Sequence, residues 1–181
     1  INLSGRYLLH LINSVLDLAY IESGKATLDI RAHDIPAMLE NVKYVFQADL
    51  QKKQLTLDVA CDVQDPVAYF DALKMNQIEL NLIGNAIKYT HSGGTVRITA
   101  ETLAQTEDSV TCRFSVSDTG IGMSKAFQSK MFEPFAQERS DSRSEYRGTG
   151  LGLAIVKKII DQMHGDISVD SAPGASTSIV W

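Results

Sequence analysis

The segment NQIELNLIGNAIKYT, residues 76–90, has the pattern of a helix that is apolar around most of its circumference. At about 100° per residue, Gln77, Asn81, Asn85 and Lys88 fall on one narrow polar stripe. Asparagine is a poor helix former, and a buried amide without a hydrogen-bond partner costs about 1–3 kcal/mol. The fold must therefore cover this helix on several sides and leave its stripe open to something polar.

Two interpretations of the stripe stay open from this helix alone. Amide oxygens can ligate a hard cation such as Mg²⁺, and a lysine ammonium can pair with phosphate. A stripe that faces water accounts for the same residues. Glu79 is harder to place, because it falls on the opposite side of the helix, where Met75 and Ile83 are apolar neighbours.

Periodicity along the rest of the chain predicts alternating helices and short strands. Asp34 and Asp71 stand where N-caps are expected. We predict helices at about 1–22, 35–52, 72–90, 124–131 and 150–163, and strands at about 28–33, 55–60, 67–70, 95–103, 110–117, 166–171 and 176–180. Short turns join the late strands. This order predicts an α+β fold, a two-layer α/β sandwich with a mostly antiparallel mixed sheet, rather than a doubly wound parallel sheet.

Composition narrows the class of protein. The chain has 181 residues, enough for one domain with a sizeable core. Its formal net charge of −5 gives no general reason to expect nucleic acid or an anionic membrane as a partner. No apolar run approaches the roughly 20 residues of a membrane span, and none has the pattern of a signal peptide. Cys61 and Cys112 lack metal-binding spacing, which indicates two ordinary thiols in a reducing compartment.

Two glycine-rich segments could bring backbone close to a ligand. In SDTGIGM, residues 117–123, Asp118 follows a hydrophobic strand, and its carboxylate could accept a hydrogen bond from an exocyclic amine. In RGTGLGLAIVKKII, residues 147–160, three glycines lead into an apolar-periodic helix whose N-terminus could bind phosphate. The second segment is neither a Walker A loop nor a Rossmann fingerprint. A plain turn and a flexible hinge are the alternative interpretations.

The residues between these segments, about 133–149, are predicted to form a long polar loop, and such loops are more often functional than decorative. Phe132 and Phe135 in KMFEPFAQ are candidates for anchoring it by hydrophobic packing. Arg139, Arg143 and Arg147 recur every four residues within the loop. A solvated surface of mixed charge is the alternative reading of these arginines.

Taken in order, NLIGNAIKYT, DTGIGM, FEPF and GTGLGLAI resemble the N, G1, F and G2 boxes of the sensor histidine kinase catalytic domain. That domain belongs to the ATPase superfamily shared with DNA gyrase, mismatch-repair and chaperone ATPases. The opening LLHLINSVLDLAYIESGKATL is similar to the second helix of the dimerisation domain and its exit. The resemblance implies that residues 1–24 are a remnant of the dimerisation and phosphoacceptor domain, and that residues 25–181 form an ATP-binding catalytic domain with the Bergerat fold.

The resemblance also implies the ligands, ATP and Mg²⁺, and the residues that hold them. Asn85 would ligate Mg²⁺, Asn81 would assist at the metal or phosphates, and Lys88 would contact phosphate. Asn81 and Lys88 are therefore the expected catalytic residues, and Asp118 would accept from the adenine amine. The other implied nucleotide-binding residues are Tyr89, Gly120, Ile121, Gly122, Met123, Phe135, Arg147, Gly148, Thr149, Gly150, Leu151, Gly152, Leu153 and, on a weaker match, Thr177.

Position 81 distinguishes between activities within the superfamily. The ATP-hydrolysing relatives place a glutamate there as base, whereas the amide of Asn81 cannot usefully accept a proton. We therefore expect phosphoryl transfer to a histidine on the kinase's own dimerisation domain, with a response regulator or receiver domain downstream. The resemblance implies a cytoplasmic chain, either on its own or as the cytoplasmic part of a membrane-bound sensor, without nucleic-acid or membrane contact. An ATP-hydrolysing switch, a degenerate nucleotide-binding module and an anti-sigma-type serine kinase are the alternatives.

The chain departs from the family's pattern at three places. The phosphoacceptor motif, a histidine followed by an acidic residue, is absent, and His10 precedes Leu11 on the second helix instead. Glu79 stands where relatives usually carry an apolar residue, so it should be paired or the helix should be more open there. The segment after Pro173 is shorter than usual, which weakens the match at Thr177.

Overall fold

The computed structural model describes residues 3–24, 26–138 and 148–181. Arg139, Arg143 and Arg147 lie outside the described residues, and so does the side chain of His10. The elements, in chain order, are α1 (Leu3–Glu22), β1 (Arg31–Asp34), α2 (Ile35–Lys53), β2 (Thr56–Asp62), β3 (Val67–Phe70), α3 (Ala72–Tyr89), β4 (Thr95–Gln105), β5 (Val110–Asp118), α4 (Lys125–Gln128), α5 (Gly152–Gln162), β6 (Ser168–Ser171) and β7 (Thr177–Val180).

Five strands form one mixed sheet in the order β2-β4-β5-β7-β6. The β2–β4 pair is parallel, and the other three pairs of neighbours are antiparallel. The strands β1 and β3 form a separate antiparallel two-stranded sheet. The predicted α+β fold, with a mostly antiparallel mixed sheet packed against helices, is therefore confirmed.

Both predicted aspartate caps begin helices. The Asp34 side chain accepts a hydrogen bond of 2.7 Å from the Ala37 amide at the start of α2. Asp71 accepts one of 3.0 Å from the Lys74 amide at the start of α3. Each bond satisfies an amide that has no partner inside its own helix, which fixes where the helix begins.

The core lies between one face of the sheet and the helices that cover it. From α3, Ile78, Leu82 and Ile83 are almost completely buried. Val96 and Ile98 are buried on the facing side of β4, where alternate residues point inward. As the sequence pattern predicted, α3 is therefore covered over most of its circumference. No helix in the described part of the chain is long and apolar enough to cross a membrane.

The first helix packs on this core through one face and exposes apolar residues on another. Leu18 is buried in the core, α1 contacts α5, and Asp17 Oδ2 accepts a hydrogen bond of 3.0 Å from Gln77 Nε2 of α3. Leu9 and Leu16 are more than half exposed. One face of this helix is therefore packed against the rest of the chain, and a second apolar face is exposed and available to another partner.

Candidate functional site

A cavity of about 290 Å³ opens over the polar stripe of α3. It is bounded by α3, by the ends of β5 and β7, and by the segments that precede α4 and α5. The predicted site residues that line it are Asn81, Asn85, Lys88, Tyr89, Asp118, Ile121, Gly122, Met123, Gly148, Thr149, Gly150, Gly152, Leu153 and Thr177. These residues come from four separate parts of the sequence, and folding brings them around one space.

Among the described residues, three of the predicted ones do not line the cavity. Gly120 lies just behind it and donates its backbone N–H to Asp118 Oδ1 at 2.8 Å. Leu151 is completely buried in the core. Phe135 is 61% exposed, and its main chain rather than its ring faces Gly150, where a Cβ would lie 2.7 Å from the Phe135 carbonyl carbon. Of the two expected anchors, Phe132 packs against the core and Phe135 does not.

The polar stripe of α3 faces the segment that leads into α5. Asn81 Nδ2 donates to Gln77 O at 2.8 Å, and a Cβ added to Gly152 would lie 2.5 Å from Asn81 Oδ1. Lys88 Nζ would lie 2.8 Å from a Cβ on Gly148. Glycine at these two positions therefore lets the backbone approach the stripe closely, and Asn81, Asn85 and Lys88 of the stripe line the cavity.

The N-terminus of α5 supplies a second polar wall. Its N-cap position, Leu151, makes no side-chain cap hydrogen bond. The first backbone N–H groups of a helix have no partner within it, and they carry the positive end of the helix dipole. Since Gly152 and Leu153 line the cavity beside Asn81, this end of the cavity is suited to an anion.

Asp118 provides a carboxylate to the cavity wall. It is the last residue of β5 and pairs across the sheet with Thr177 of β7. Burial raises the pKa of Asp118 to about 6, against the opposing effects of the Gly120 amide and the Thr90 hydroxyl. A buried carboxylate with one oxygen already held can use the other to accept from a ligand donor.

The turn after Asp118 is clamped to the β6–β7 connection. Gly122 has φ +67°, and a Cβ there would lie 1.8 Å from the carbonyl oxygen of Ala172. The Met123 amide donates to Ser171 Oγ at 2.9 Å, and Ser171 Oγ lies 2.9 Å from Thr177 Oγ1. This turn therefore requires glycine for both its conformation and its space.

Lys53, at the end of α2, holds the last turn of α3 from outside the cavity. Its ammonium donates to the carbonyl oxygens of Ile87, Lys88 and Thr90 at 2.8, 2.7 and 3.0 Å. Carbonyls at a helix C-terminus lack intrahelical partners and carry partial negative charge, so a lysine there is stabilising. The turn it holds carries Lys88 and Tyr89 into the cavity wall.

Several lining residues were not predicted from the sequence: Ser14, Leu82, Ala86, Val116, Phe127, Met131, Ala136, Gln137, Glu138, Pro173 and Ile179. Two of these residues could have been predicted from the sequence. Val116 and Ile179 lie two residues from Asp118 and Thr177 on their strands, so alternation places each pair on one face of the sheet. No sequence feature indicated Ser14, because its position at the cavity depends on how α1 packs against the rest of the chain.

The oxygen atoms that line the cavity suit a hard cation whose remaining ligands would be oxygens of a bound nucleotide and water. Within residues 3–24, 26–138 and 148–181 there is no group of three or more His, Cys, Asp and Glu residues that could hold a metal ion. The Asn85 side chain lines the cavity and has no hydrogen-bond partner among the described residues. Mg²⁺ commonly takes one or two protein oxygens and completes its shell with water and phosphate oxygens, so an amide here suffices.

Comparison with known proteins gives one family for this region. The family model described as histidine kinase-, DNA gyrase B-, and HSP90-like ATPase matches residues 70–181. The chain is 38% identical over 181 residues to the circadian input-output histidine kinase CikA of Synechococcus elongatus, covering 98% of this chain and 23% of that protein. It is 36% identical over 177 residues to the signal transduction histidine-protein kinase BarA of Escherichia coli, covering 97% of this chain and 19% of BarA.

Solved structures agree with this similarity. Full-length ShkA in complex with AMPPNP superposes with a TM-score of 0.83 at 31% identity, over 98% of this chain and 35% of that one. The Acinetobacter baumannii histidine kinase AdeS gives a TM-score of 0.76 at 26% identity, over 97% of this chain and 78% of that one. The chain spans less than a quarter of the length of the two curated relatives, CikA and BarA.

Proposed function

The chain belongs to the family of histidine kinase-, DNA gyrase B-, and HSP90-like ATPases, and from that premise we propose that it binds Mg-ATP and donates the γ-phosphoryl group to a histidine. The acceptor histidine would lie on the dimerisation domain of the same kinase. One observation carries the proposal: a single cavity is lined by an amide-and-lysine stripe, by a helix N-terminus and by a buried carboxylate. Such a cavity has a place for a triphosphate and a place for a base with an exocyclic amine.

At the phosphate end, the chain supplies positive charge and donors. Lys88 would pair with phosphate, and the first N–H groups of α5 would donate to phosphate oxygens. Asn85 would hold Mg²⁺, with Asn81 beside it one helical turn away. Mg²⁺, when bound, neutralises charge on the phosphate oxygens. The chain's own contribution is to position the phosphates and to exclude water from them.

At the base end, Asp118 would accept a hydrogen bond from the adenine amine. Gly122 keeps the neighbouring backbone free of a side chain, and Thr177 lies opposite Asp118 on the next strand. A carboxylate acceptor selects an amine donor against a keto oxygen at the same position, since the latter would face it with a lone pair. This contact therefore favours adenine over guanine.

The identity of residue 81 supports transfer rather than hydrolysis. An amide cannot act as the general base that activates water, and Asn81 already donates through Nδ2 to Gln77 O. The rival functions are an ATP-hydrolysing switch of the gyrase or chaperone type and a degenerate nucleotide-binding module. An anti-sigma-type serine kinase is a closer rival, which transfers phosphate to an acid-stable position.

The domain assignment and partners are part of the same proposal. Residues 1–24 would be the second helix of a dimerisation domain, and residues 25–181 the catalytic domain. The exposed apolar side chains of Leu9 and Leu16 support this, because a helical bundle would cover them. A receiver domain would take the phosphoryl group next, and the reaction would take place in the cytoplasm, where ATP is present.

The test combines nucleotide binding with the fate of the γ-phosphate. Calorimetry of the 181-residue chain is expected to show ATP binding that depends on Mg²⁺. With γ-labelled ATP, we expect no acid-labile label on the chain alone, and label on a phosphoacceptor domain supplied in trans. Steady phosphate release without any acceptor would instead establish the ATPase switch, and acid-stable label would establish a serine kinase. A complete lack of Mg-dependent binding would overturn nucleotide binding altogether.

Nucleotide affinity should depend on pH through Asp118. Since burial raises the pKa of this carboxyl to about 6, the charged acceptor form predominates above that pH and is lost below it. We expect the ratio of ATP affinity between the parent chain and Asp118→Asn to be about tenfold or more at pH 8. It should fall towards one between pH 7 and pH 5, roughly. Using the ratio cancels the titration of ATP itself, and a ratio constant over this range would contradict the role of Asp118.

Lys53→Met should weaken both the fold and the nucleotide site. Loss of three hydrogen bonds from a charged donor is expected to lower the free energy of unfolding by about 1.5–3 kcal/mol. ATP affinity should fall several-fold, because Lys88 and Tyr89 lie on the turn that loosens. Lys52→Met is the matched control, since Lys52 is exposed one residue earlier on the same helix. Equal effects of the two variants in urea unfolding and calorimetry would show that the three contacts contribute nothing.

A further inference from the structure

A second cavity, of about 390 Å³, lies between α2 and α3, on the side of α3 away from the asparagine stripe. Its wall is largely apolar and includes Met38 and Val42 from α2 and Leu80 from α3. Small-molecule sites commonly have volumes of roughly 300–1,000 Å³ and combine an apolar lining with a few polar groups. None of the nucleotide-site residues lines this second cavity.

Glu79 is the unexplained residue of this second cavity. It lines the cavity, its residue surface is only 2% exposed, and its Oε1 has no hydrogen-bond partner among the described residues. Of the two alternatives expected from the sequence, a paired Glu79 or a more open helix, no pairing is found among the described residues. Burial alone raises the pKa of Glu79 to about 8. A leucine would fill the same place without this cost, since an unsatisfied buried polar group costs about 1–3 kcal/mol.

The cavity supplies no positive charge to Glu79. Its polar lining residues are Asn41, Asn76 and Tyr44, and none of them is cationic. Lys43, which lies between the lining residues Val42 and Tyr44 in the sequence, is paired with Glu40 at 2.7 Å on the exposed surface. With a pKa of about 8 the carboxyl is mostly neutral near pH 7, and a bound cation would supply the countercharge that its ionised form lacks.

We propose that the cavity between α2 and α3 binds a small organic cation, a primary ammonium on an aromatic or alkyl body, with its nitrogen paired to the Glu79 carboxylate. The apolar body would pack against Met38, Val42 and Leu80. The ammonium would restore the charge pairing that the lining lacks, and it would satisfy the open oxygen. A lysine side chain from a partner protein is the rival occupant, and the experiment below separates the two.

Binding of an ammonium requires the carboxyl to be ionised. When the neutral acid meets an ammonium ion, its proton passes to solvent and the carboxylate and the ammonium form an ion pair. Affinity for the cation should therefore rise with pH, about tenfold per unit, until the pH exceeds the pKa of the acid. A neutral ligand that donates through a hydroxyl lacks this dependence, which makes pH a diagnostic of the charge pairing.

Phenethylammonium chloride is a suitable test ligand, titrated into the isotopically labelled chain and followed by amide NMR shifts. We expect saturable shifts centred on Met38, Val42 and Leu80, with affinity rising at least tenfold from pH 6 to pH 8. Glu79→Gln should weaken binding by tenfold or more, and Glu79→Leu, which also removes the carboxyl, should abolish it. The matched control is Asp49→Asn, which removes an exposed acid from α2 outside the cavity lining and should leave binding unchanged.

Four results would overturn the proposal. They are absence of saturable shifts at these residues, equal affinity in Glu79→Gln, a flat pH profile, and equally tight binding of 2-phenylethanol, which has the same ring without the charge. Tighter binding of a short Phe-Lys-Phe peptide with capped ends, lost in Glu79→Gln, would replace the small molecule by a protein partner. Mg-ATP binding is measured on the same variants and is expected to persist, so a failure here leaves the proposed nucleotide function standing.

Discussion

Replacing Asn85 with alanine is expected to weaken Mg-ATP binding by about a hundredfold. The Asn85 amide lines the cavity without a hydrogen-bond partner among the described residues, so it is available to a ligand. Removing it takes away the oxygen that would hold the metal against the phosphates. Calorimetry with ATP in the presence of Mg²⁺ measures the loss directly.

The expected loss is specific to the metal. With Mg²⁺ chelated, the parent chain and Asn85→Ala should bind ATP with similar, weak affinity, because the amide then has nothing to coordinate. Asn76→Ala is a matched control, since it removes an exposed amide from the same helix and outside the nucleotide cavity. An equal loss of affinity with and without Mg²⁺ would show that Asn85 acts through helix packing or phosphate contact instead.

Much of the fold was predictable because local signals and tertiary structure agree. The strand at Val67–Phe70 and the two aspartate-capped helices form where the sequence predicts them, and tertiary packing does not override the local preference. The strand predicted from about residue 28 begins only at Arg31. Its early part fails to pair because the Asp29 amide donates to the Asp71 side chain at 3.0 Å instead of to a strand. The start of this strand is therefore set by the side chain of Asp71, 42 residues away, and local sequence patterns cannot predict such a contact.

The parts of the candidate site that are rich in glycine and asparagine were predictable, because these residues are unusual at such positions. The parts that depend on packing between distant segments were not predictable. Asn81 and Asn85 stand out because a helix interior otherwise disfavours them. Ser14 and Lys53 do not stand out, since serine and lysine are ordinary in helices, and only the packing of α1 and α2 against α3 brings them to the site. The ring of Phe135 is exposed, and its positive φ of 65° is not encoded by its residue type.

The second large effect is expected from Gly122→Ala. At φ +67°, an alanine costs about 1–2 kcal/mol, and its Cβ would lie 1.8 Å from the Ala172 carbonyl oxygen, which belongs to backbone and cannot rotate away. We expect the free energy of unfolding to fall by about 3 kcal/mol or more. ATP binding should be lost, because relief of the clash would part the turn after Asp118 from the β6–β7 connection, where Thr177 completes the base end of the cavity.

Gly174→Ala separates the cost of the conformation from the cost of the clash. Gly174 also has a positive φ, +73°, but a Cβ there meets nothing within 4 Å. Its variant should therefore lose only about 1–2 kcal/mol in urea unfolding and should keep its affinity for ATP. If Gly122→Ala proved no more harmful than Gly174→Ala, the close approach of the two turns would not limit the site. A larger effect at Gly122 alone would mean that glycine is needed there for space, and that the base end of the cavity depends on two turns held in contact.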